Sequence, residues 1–407
     1  MNDLNKSESK VMHIDLNSCF ATCEQQARPM LRGRPVAISN RAGKNSAIIT
    51  ASYEAKAGGV KVGMRRLEAV AVLPELIFIE AEPSKYRYVY HKLLDIMQDY
   101  SAHVTMKSID EGVIDFAQAS EKVQSMGLQE VGREIKRRLR NEIGCYMRCN
   151  VGIATNRFLA KTAAGLNKPD GMDEITHENL RDVYGELKLT DLTGIASATE
   201  KRLNAVGIFT PLDFLDATEP GLTMAFKSVC GKQWYQRLRG YEVDDYGSDI
   251  KTVGRQYVLE SNQLDFEQIL QRLFHLAEEV GDKLRKKGKE ARGVYVYAKT
   301  YDRGFWHRCQ MMEFSFYSNQ AIWNVAKQLF FGAPDRIKEI GVTCYGVCEP
   351  SERQLSIFGD ELARERQVTG AIDEINTRFG PRTIHACETL QKSKIKTKIP
   401  FGSTRYL

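Results

Sequence analysis

The chain of 407 residues lacks any apolar run near the ~20 residues that span a bilayer, so no transmembrane helix is expected. Its opening stretch, MNDLNKSESK, has no apolar core of the kind that drives export, so residues 1–10 read as a flexible leader and the protein as cytoplasmic. A disulfide framework is not expected either, because nine cysteines are an odd number scattered through a chain without a signal peptide. Three pairs share C-x3-C spacing, Cys19/Cys23, Cys145/Cys149 and Cys344/Cys348, yet no second pair or histidine set stands in register to complete a zinc site. Reduced thiols in the interior are the expectation.

What is present is ordinary for a globular protein: 43% hydrophobic and 27% charged residues, with length enough for two to four domains. Net charge is +6 and the isoelectric point about 8.7. Positive charge gathers in EIKRRLR (134–140) and KLRKKGKEAR (283–292), the second with six basic residues. Such runs are either solvated helix faces or a surface that tracks phosphates.

Strand-like and helical patterns interleave without a regular βαβ repeat, which points to an α+β chain of several domains. VMHIDL, RPVAIS, SAIITASY, HVTMKSI, GVIDFA and CNVGIAT read as strands. SKYRYVYHKLLDIMQDYS, EIKRRLRNEIG and NRFLAKTAAGLN read as helices. Short helices dominate 177–242. After a linker, strands near 252–260, 293–300, 306–316 and 337–347 alternate with helices at 266–287 and 318–330 in βαββαβ order. The chain after Pro350 reads as a polar tail with one apolar patch.

The stretch TMKSIDEGVIDF carries the chemistry. Asp110 and Glu111 are adjacent carboxylates among apolar neighbours, where burial and mutual repulsion oppose ionisation. Neighbouring strand residues point to opposite faces, so the two can converge only at a turn, for which Gly112 is a candidate. A third carboxylate, Asp15, ends the strand MHIDL. Three strand-end carboxylates suit a hard divalent cation, whose charge would keep all of them ionised. Two exposed turn acids are the alternative.

IDLNSCFATCE, TASYEAKAGGVKVGM, SIDEGVIDF and NVGIATNRFLAKTAAGLNKPDG occur in the order and approximate spacing of motifs in the Y-family DNA polymerases, which copy damaged templates. The chain resembles that family over roughly residues 11–350, and within it the bacterial polymerase IV and UmuC group. The resemblance implies a right-hand polymerase fold. The palm would be 11–19 and 83–176, the fingers 20–82, and a helical thumb with a helix–hairpin–helix 177–242. A linker would cover 243–251, a βαββαβ little finger 252–349, and a tail 350–407.

It also implies roles. Asp15, Asp110 and Glu111, with the backbone carbonyl of Leu16, would hold two Mg²⁺ ions. Asn17 stands where many relatives have aspartate and is not one of the catalytic carboxylates. Phe20 would be the steric gate under the incoming sugar, and Tyr53, Lys56 and Lys168 would contact the triphosphate. Lys56 departs from the usual YEAR motif and gives up arginine's bidentate fork. Ala47, Ile48 and Ser52 would roof the nascent base pair. Lys161 would face DNA phosphate or the active site; Gly194 and Ala196 would meet DNA, with Ala196 replacing the second glycine of the hairpin, and Lys251, Arg255, Lys299 and Arg303 would contact phosphates from the little finger. Gln354, Leu355, Ser356, Ile357 and Phe358 resemble the peptide that docks on the bacterial sliding clamp.

The implied protein is a monomeric translesion polymerase acting on primer–template DNA and deoxynucleoside triphosphates, with no spare segment for a proofreading exonuclease. A non-catalytic scaffold of the same family should have lost its carboxylates. A nucleotidyl cyclase or two-metal nuclease would not explain the thumb-like and little-finger-like segments.

Overall fold

The computed structural model describes residues 4–41, 43, 46–244, 250–261, 263–350, 361–380 and 382–387. The chain divides into two compact units near residues 246/247.

The first unit has eight strands: β1 (Val11–Leu16), β2 (Val36–Ser39), β3 (Ile48–Ala51), β4 (Ile77–Glu80), β5 (Val104–Met106), β6 (Glu111–Asp115), β7 (Cys149–Ala154) and β8 (Met172–Ile175). Its helices are α1 (Cys19–Ala27), α2 (Tyr53–Ala57), α3 (Arg66–Val72), α4 (Pro83–Gln98), α5 (Glu121–Met126), α6 (Leu128–Arg138), α7 (Arg157–Leu166), α8 (Leu180–Glu186), α9 (Ser197–Asn204), α10 (Pro211–Asp216), α11 (Glu219–Phe226) and α12 (Cys230–Leu238). The main sheet runs β5-β6-β1-β7-β8 and is antiparallel except for the parallel β7–β8 pair. β1 lies at its centre, which is why VMHIDL is buried almost throughout.

The period of two divides β1 between two cores. Met12, Ile14 and Leu16 join Tyr86, Leu93 and Ile96 of α4 and Val131 and Ile135 of α6. Val11 turns the other way and joins Phe158, Leu159 and Ala163 of α7, with Phe214 and Trp234 of the helical segment behind them. On that side α7 lies against the backbone of β7. A Cβ at Gly152 would come within 2.0 Å of the Ala160 carbonyl oxygen and 2.3 Å of the Ala164 nitrogen, so only glycine fits there. The smaller sheet, β3-β2-β4, has its own core of Ala37, Ile48, Ala51, Ala55 and Val60.

The second unit has β9 (Thr252–Val258), α13 (Phe266–Lys286), β10 (Ala291–Thr300), β11 (Phe305–Phe316), α14 (Asn319–Phe330) and β12 (Ile337–Tyr345), in the expected βαββαβ order. The antiparallel sheet runs β11-β10-β12-β9. Asp265 starts α13 through a reciprocal capping box with Gln268. Leu273, Phe274 and Val280 of α13 share one core with Trp323 of α14 and Val294 and Val296 of the sheet, and Phe274 stacks on Trp323 at 4.5 Å.

Three elements depart from the sequence expectations. The stretch after Pro350 contains a helix, α15 (Glu361–Phe379). It carries little apolar pattern and is held by charge: Asp373 takes a bidentate pair from Arg285 (2.6 and 2.9 Å), and Arg366 reaches Glu290 (3.0 Å). Gly112 is not the turn residue. The turn occupies 107–110, and Gly112 lies in β6, where a Cβ would meet the sulfur of Met106 at 2.6 Å. β4 and β8 are short strands that the sequence pattern did not single out.

Candidate active site

The register of the main sheet sets Asp15 directly opposite Glu111 on the neighbouring strand, with His13 one pleat behind. Cross-strand partners project from the same face. Asp110 ends the 107–110 turn, and its carbonyl accepts the Leu16 N–H at 2.8 Å, tying the turn to the end of β1. The three carboxylates expected from the sequence therefore lie at one end of one sheet.

Their surroundings differ. Burial alone would push the Glu111 carboxyl up, but His13 Nε2 at 3.1 Å and the Lys161 ammonium at 2.7 and 2.9 Å outweigh it and hold the group down at about 2. Asp110 is shifted the other way. Burial raises its carboxyl, the charges of Asp15 and Glu111 raise it further, and a hydrogen bond from Ser108 opposes them only in part. Asp15 is ion-paired with Lys168.

Among the described residues, no three His, Cys, Asp or Glu side chains stand close enough together to hold a metal ion. Asp15 and Glu111 each reach toward an ammonium instead. The donor set still fits a hard divalent cation: all three donors are carboxylates, and the Asp110 carboxyl, raised by burial and then by the charges of Asp15 and Glu111, is one that a cation would keep ionised.

A cluster of positive charge adjoins this corner. Ser52 caps α2, its Oγ accepting the Ala55 N–H, and so places Tyr53 and Lys56. The Lys56 ammonium donates to Ser18 Oγ at 2.8 Å and lies 4.6 Å over the Tyr53 ring. Burial, and then the charge of Lys168, pull the Lys56 ammonium down; burial and the charge of Asp15 raise the Tyr53 hydroxyl. Two ammonium groups close enough to repel each other are suited to an anion with several charges. Phe20, on the first turn of α1, is 8% exposed and stacks on Tyr86 at 4.4 Å with rings 13° apart. Tyr86 is itself braced by donating to Glu24 at 2.9 Å.

Several expected contacts fall elsewhere. Of the three proposed roof residues, Ile48 is buried in the small-sheet core and Ser52 is buried as a helix cap, which leaves only Ala47 exposed. Lys161, expected at DNA phosphate or the active site, has its ammonium on Glu111. Gly194 (φ +94°) and Ala196 form the hairpin before α9, with the Trp234 ring 3.3 Å from where a Gly194 Cβ would be. In the second unit, Arg255 is largely buried and paired with Glu279, and Lys299 pairs with Glu339 at 2.8 Å. Lys251 and Arg303 are exposed. Gln354, Leu355, Ser356, Ile357 and Phe358 lie outside the described residues.

Sequence reasoning missed His13, Ser108 and Asn150. His13 had a readable signal, since it stands two residues before Asp15 and shares its strand face. Ser108 and Asn150 gave none.

Two models of the impB/mucB/samB family match the chain, the first over residues 14–165 and the model of the C-terminal domain over 250–357. DNA polymerase IV from Staphylococcus aureus strains Newman and COL is 28% identical over 357 residues, covering 86% of this chain and 99% of the relative. Among solved structures, a Y-family DNA polymerase chimera of Dbh and Dpo4 has a TM-score of 0.69 at 23% identity, and an insertion ternary complex of Dbh DNA polymerase has 0.59 at 24%. Each covers 84% of this chain and 99% of the solved one, and they share its fold. With family models matched in both compact units and the architecture common to these relatives, the chain belongs to the impB/mucB/samB family, the Y-family DNA polymerases.

Proposed function

We infer that this protein is a DNA-directed DNA polymerase that inserts nucleotides opposite damaged template bases with low fidelity, using two Mg²⁺ ions and no proofreading step. The observation that carries this reading is that Asp15, Asp110 and Glu111 lie at one end of one sheet, beside Tyr53 and the Lys56 and Lys168 ammonium groups. Asp15, Asp110, Glu111 and the Leu16 carbonyl would hold the ions. When bound, Mg²⁺ lowers the pKa of the primer 3′-hydroxyl and offsets charge on the departing pyrophosphate.

The chain's own groups do the rest. Lys56 and Lys168 neutralise and orient the triphosphate, which aligns the α-phosphate for in-line attack. Phe20, fixed by its stack on Tyr86, closes the space a ribose 2′-hydroxyl would need. The Gly194–Ala196 hairpin and the exposed Lys251 and Arg303 serve primer–template DNA, and the 354–358 peptide serves a bacterial sliding clamp. The protein works as a monomer in the cytoplasm; among the described residues no helix is long and apolar enough to cross a membrane.

The test is extension of a primer past a single template lesion, with Mg²⁺ and then with a chelator. Wild type should extend only with the metal, leave a mismatched 3′ end undegraded, and lose at least about 10³-fold in rate on Asp110→Asn, as expected when several kcal/mol of electrostatic stabilisation are removed. Metal-independent extension, or a variant retaining more than about a tenth of the rate, overturns the assignment.

A further inference from the structure

Asn17 and Asn150 are fully enclosed amides, 3% and 0% exposed, at facing ends of β1 and β7. Neither has been given a task by the reaction. They form a directed chain of hydrogen bonds. The Asp170 backbone N–H donates to Asn17 Oδ1 at 2.8 Å, Asn17 Nδ2 donates to Asn150 Oδ1 at 2.9 Å, and Asn150 Nδ2 donates to the Asn167 carbonyl at 3.0 Å. The two ends of this chain grip the backbone on either side of Lys168 and Pro169.

The grip is reinforced from outside. Lys136 holds the carbonyls of Asp170 and Gly171, and the turn is so tight that a Cβ on Gly171 would lie 2.1 Å from the Asn167 oxygen. Lys168 is thus the one side chain in the clamped turn that extends to the carboxylate corner, where it meets Asp15. Asn17 is two residues beyond Asp15 in the same chain. The amide pair therefore sets the spacing between a proposed metal ligand and a proposed triphosphate ligand.

We propose that Asn17 and Asn150 are positioning residues for the incoming nucleotide, which clamp the Asn167–Asp170 turn so that the Lys168 ammonium is held ready for the triphosphate. The proposal rests on the polymerase reading above. Chemistry explains why both positions are amides. Asp170 needs an acceptor from residue 17, residue 150 needs a donor from residue 17, and the Asn167 carbonyl needs a donor from residue 150. A carboxylate at 17 satisfies the first demand only and would place two acceptors face to face in a buried site. A hydroxyl at 150 could donate to that carboxylate only by abandoning the Asn167 carbonyl.

The experiment measures single-nucleotide insertion of dCTP opposite template G, and separately the affinity of dCTP for enzyme bound to a 3′-dideoxy primer–template. Asn17→Asp should raise KM and the dCTP Kd about tenfold while kcat and the DNA Kd stay within about twofold, the pattern of lost nucleotide binding without lost chemistry. Adding Asn150→Ser to Asn17→Asp should not recover the affinity, because a single hydroxyl hydrogen cannot serve both residue 17 and the Asn167 carbonyl. In a Lys168→Ala background Asn17→Asp should add nothing, because residues acting as a unit are not additive. Asn150→Asp is the other single variant, and Tm is recorded for all. An unchanged KM, an equal further loss in the Lys168→Ala background, or a simple failure of both single variants to fold each overturns the proposal. Absence of extension by wild type would instead sink the polymerase reading.

Discussion

Glu111 of the first unit and Glu279 of the second unit share the same local chemistry. Each is pushed up by burial, each is outweighed by a histidine and a cation, and each is held at about 2. His13 and Lys161 surround Glu111; His275, with Nε2 at 3.6 Å, and Arg255 surround Glu279. Their neighbours differ in sign. Beside Glu111 the perturbed group is a carboxylate: burial first, and then the charges of Asp15 and Glu111, raise the Asp110 carboxyl. Near Glu279 the perturbed group is an ammonium: burial and then Arg255 bring Lys283 down to about 7. A depressed carboxyl therefore marks a well-paired glutamate, whether structural or functional. The perturbed neighbour, a carboxylate at one corner and an ammonium at the other, tells which corner would welcome a cation.

The comparison breaks most sharply in a pair of variants. Glu111→Gln should cost at least about 100-fold in primer extension, as a lost metal ligand does, whereas Glu279→Gln should stay within about twofold. Similar losses at the two positions would show that the perturbed neighbour carries no functional information.

The two units also each contain a stacked aromatic pair, Phe20 on Tyr86 and Phe274 on Trp323, at 4.4 and 4.5 Å. Phe20→Ala should lower the preference for dCTP over CTP by about tenfold or more, the scale at which a steric pocket discriminates. Phe274→Ala should lower Tm and leave that preference alone. An unaltered ratio in Phe20→Ala would make it the same kind of core ring as Phe274.

The smallest effect lies in stability against pH. Glu279 moves from an ordinary 4.5 when unfolded to about 2 when folded. Its contribution is complete above about 4.5 and is lost as pH falls through about 2, because the unfolded chain then binds the proton first. Wild type should exceed Glu279→Gln by on the order of 2 kcal/mol at pH 7, with the gap closing between pH 4.5 and 2 in the transition followed at Trp306 and Trp323. A gap that persists at pH 2 would mean the glutamate contributes through packing instead.

Much of the fold was legible because periodicity is a local signal. The buried central strand VMHIDL, the βαββαβ order and the three carboxylates at strand ends could all be read from short windows. What escaped depends on distant partners. α15 has weak apolar pattern and is held by Arg285, 88 positions away from Asp373. Ser52 reads as a pocket residue until its cap to Ala55 is seen, and Ile48 until the small core closes over it. Lys161 could be assigned to DNA or to the carboxylates until α7 settled on β7, which brings its ammonium to Glu111. Hydrogen-bond direction, as in the Asn17–Asn150 pair, leaves no periodic trace at all.

The contact at Gly152 bears on how mutational surveys of this protein should be interpreted. The residue touches no proposed substrate or ion, yet any side chain there must drive α7 away from β7, because the obstacle is backbone. α7 carries Lys161, and β7 pairs with the strand that carries Asp15. A library screened only for activity would therefore rank Gly152 with the carboxylates and suggest a catalytic role. Residues 15, 110 and 111 are fixed by chemistry; position 152 is fixed by geometry alone.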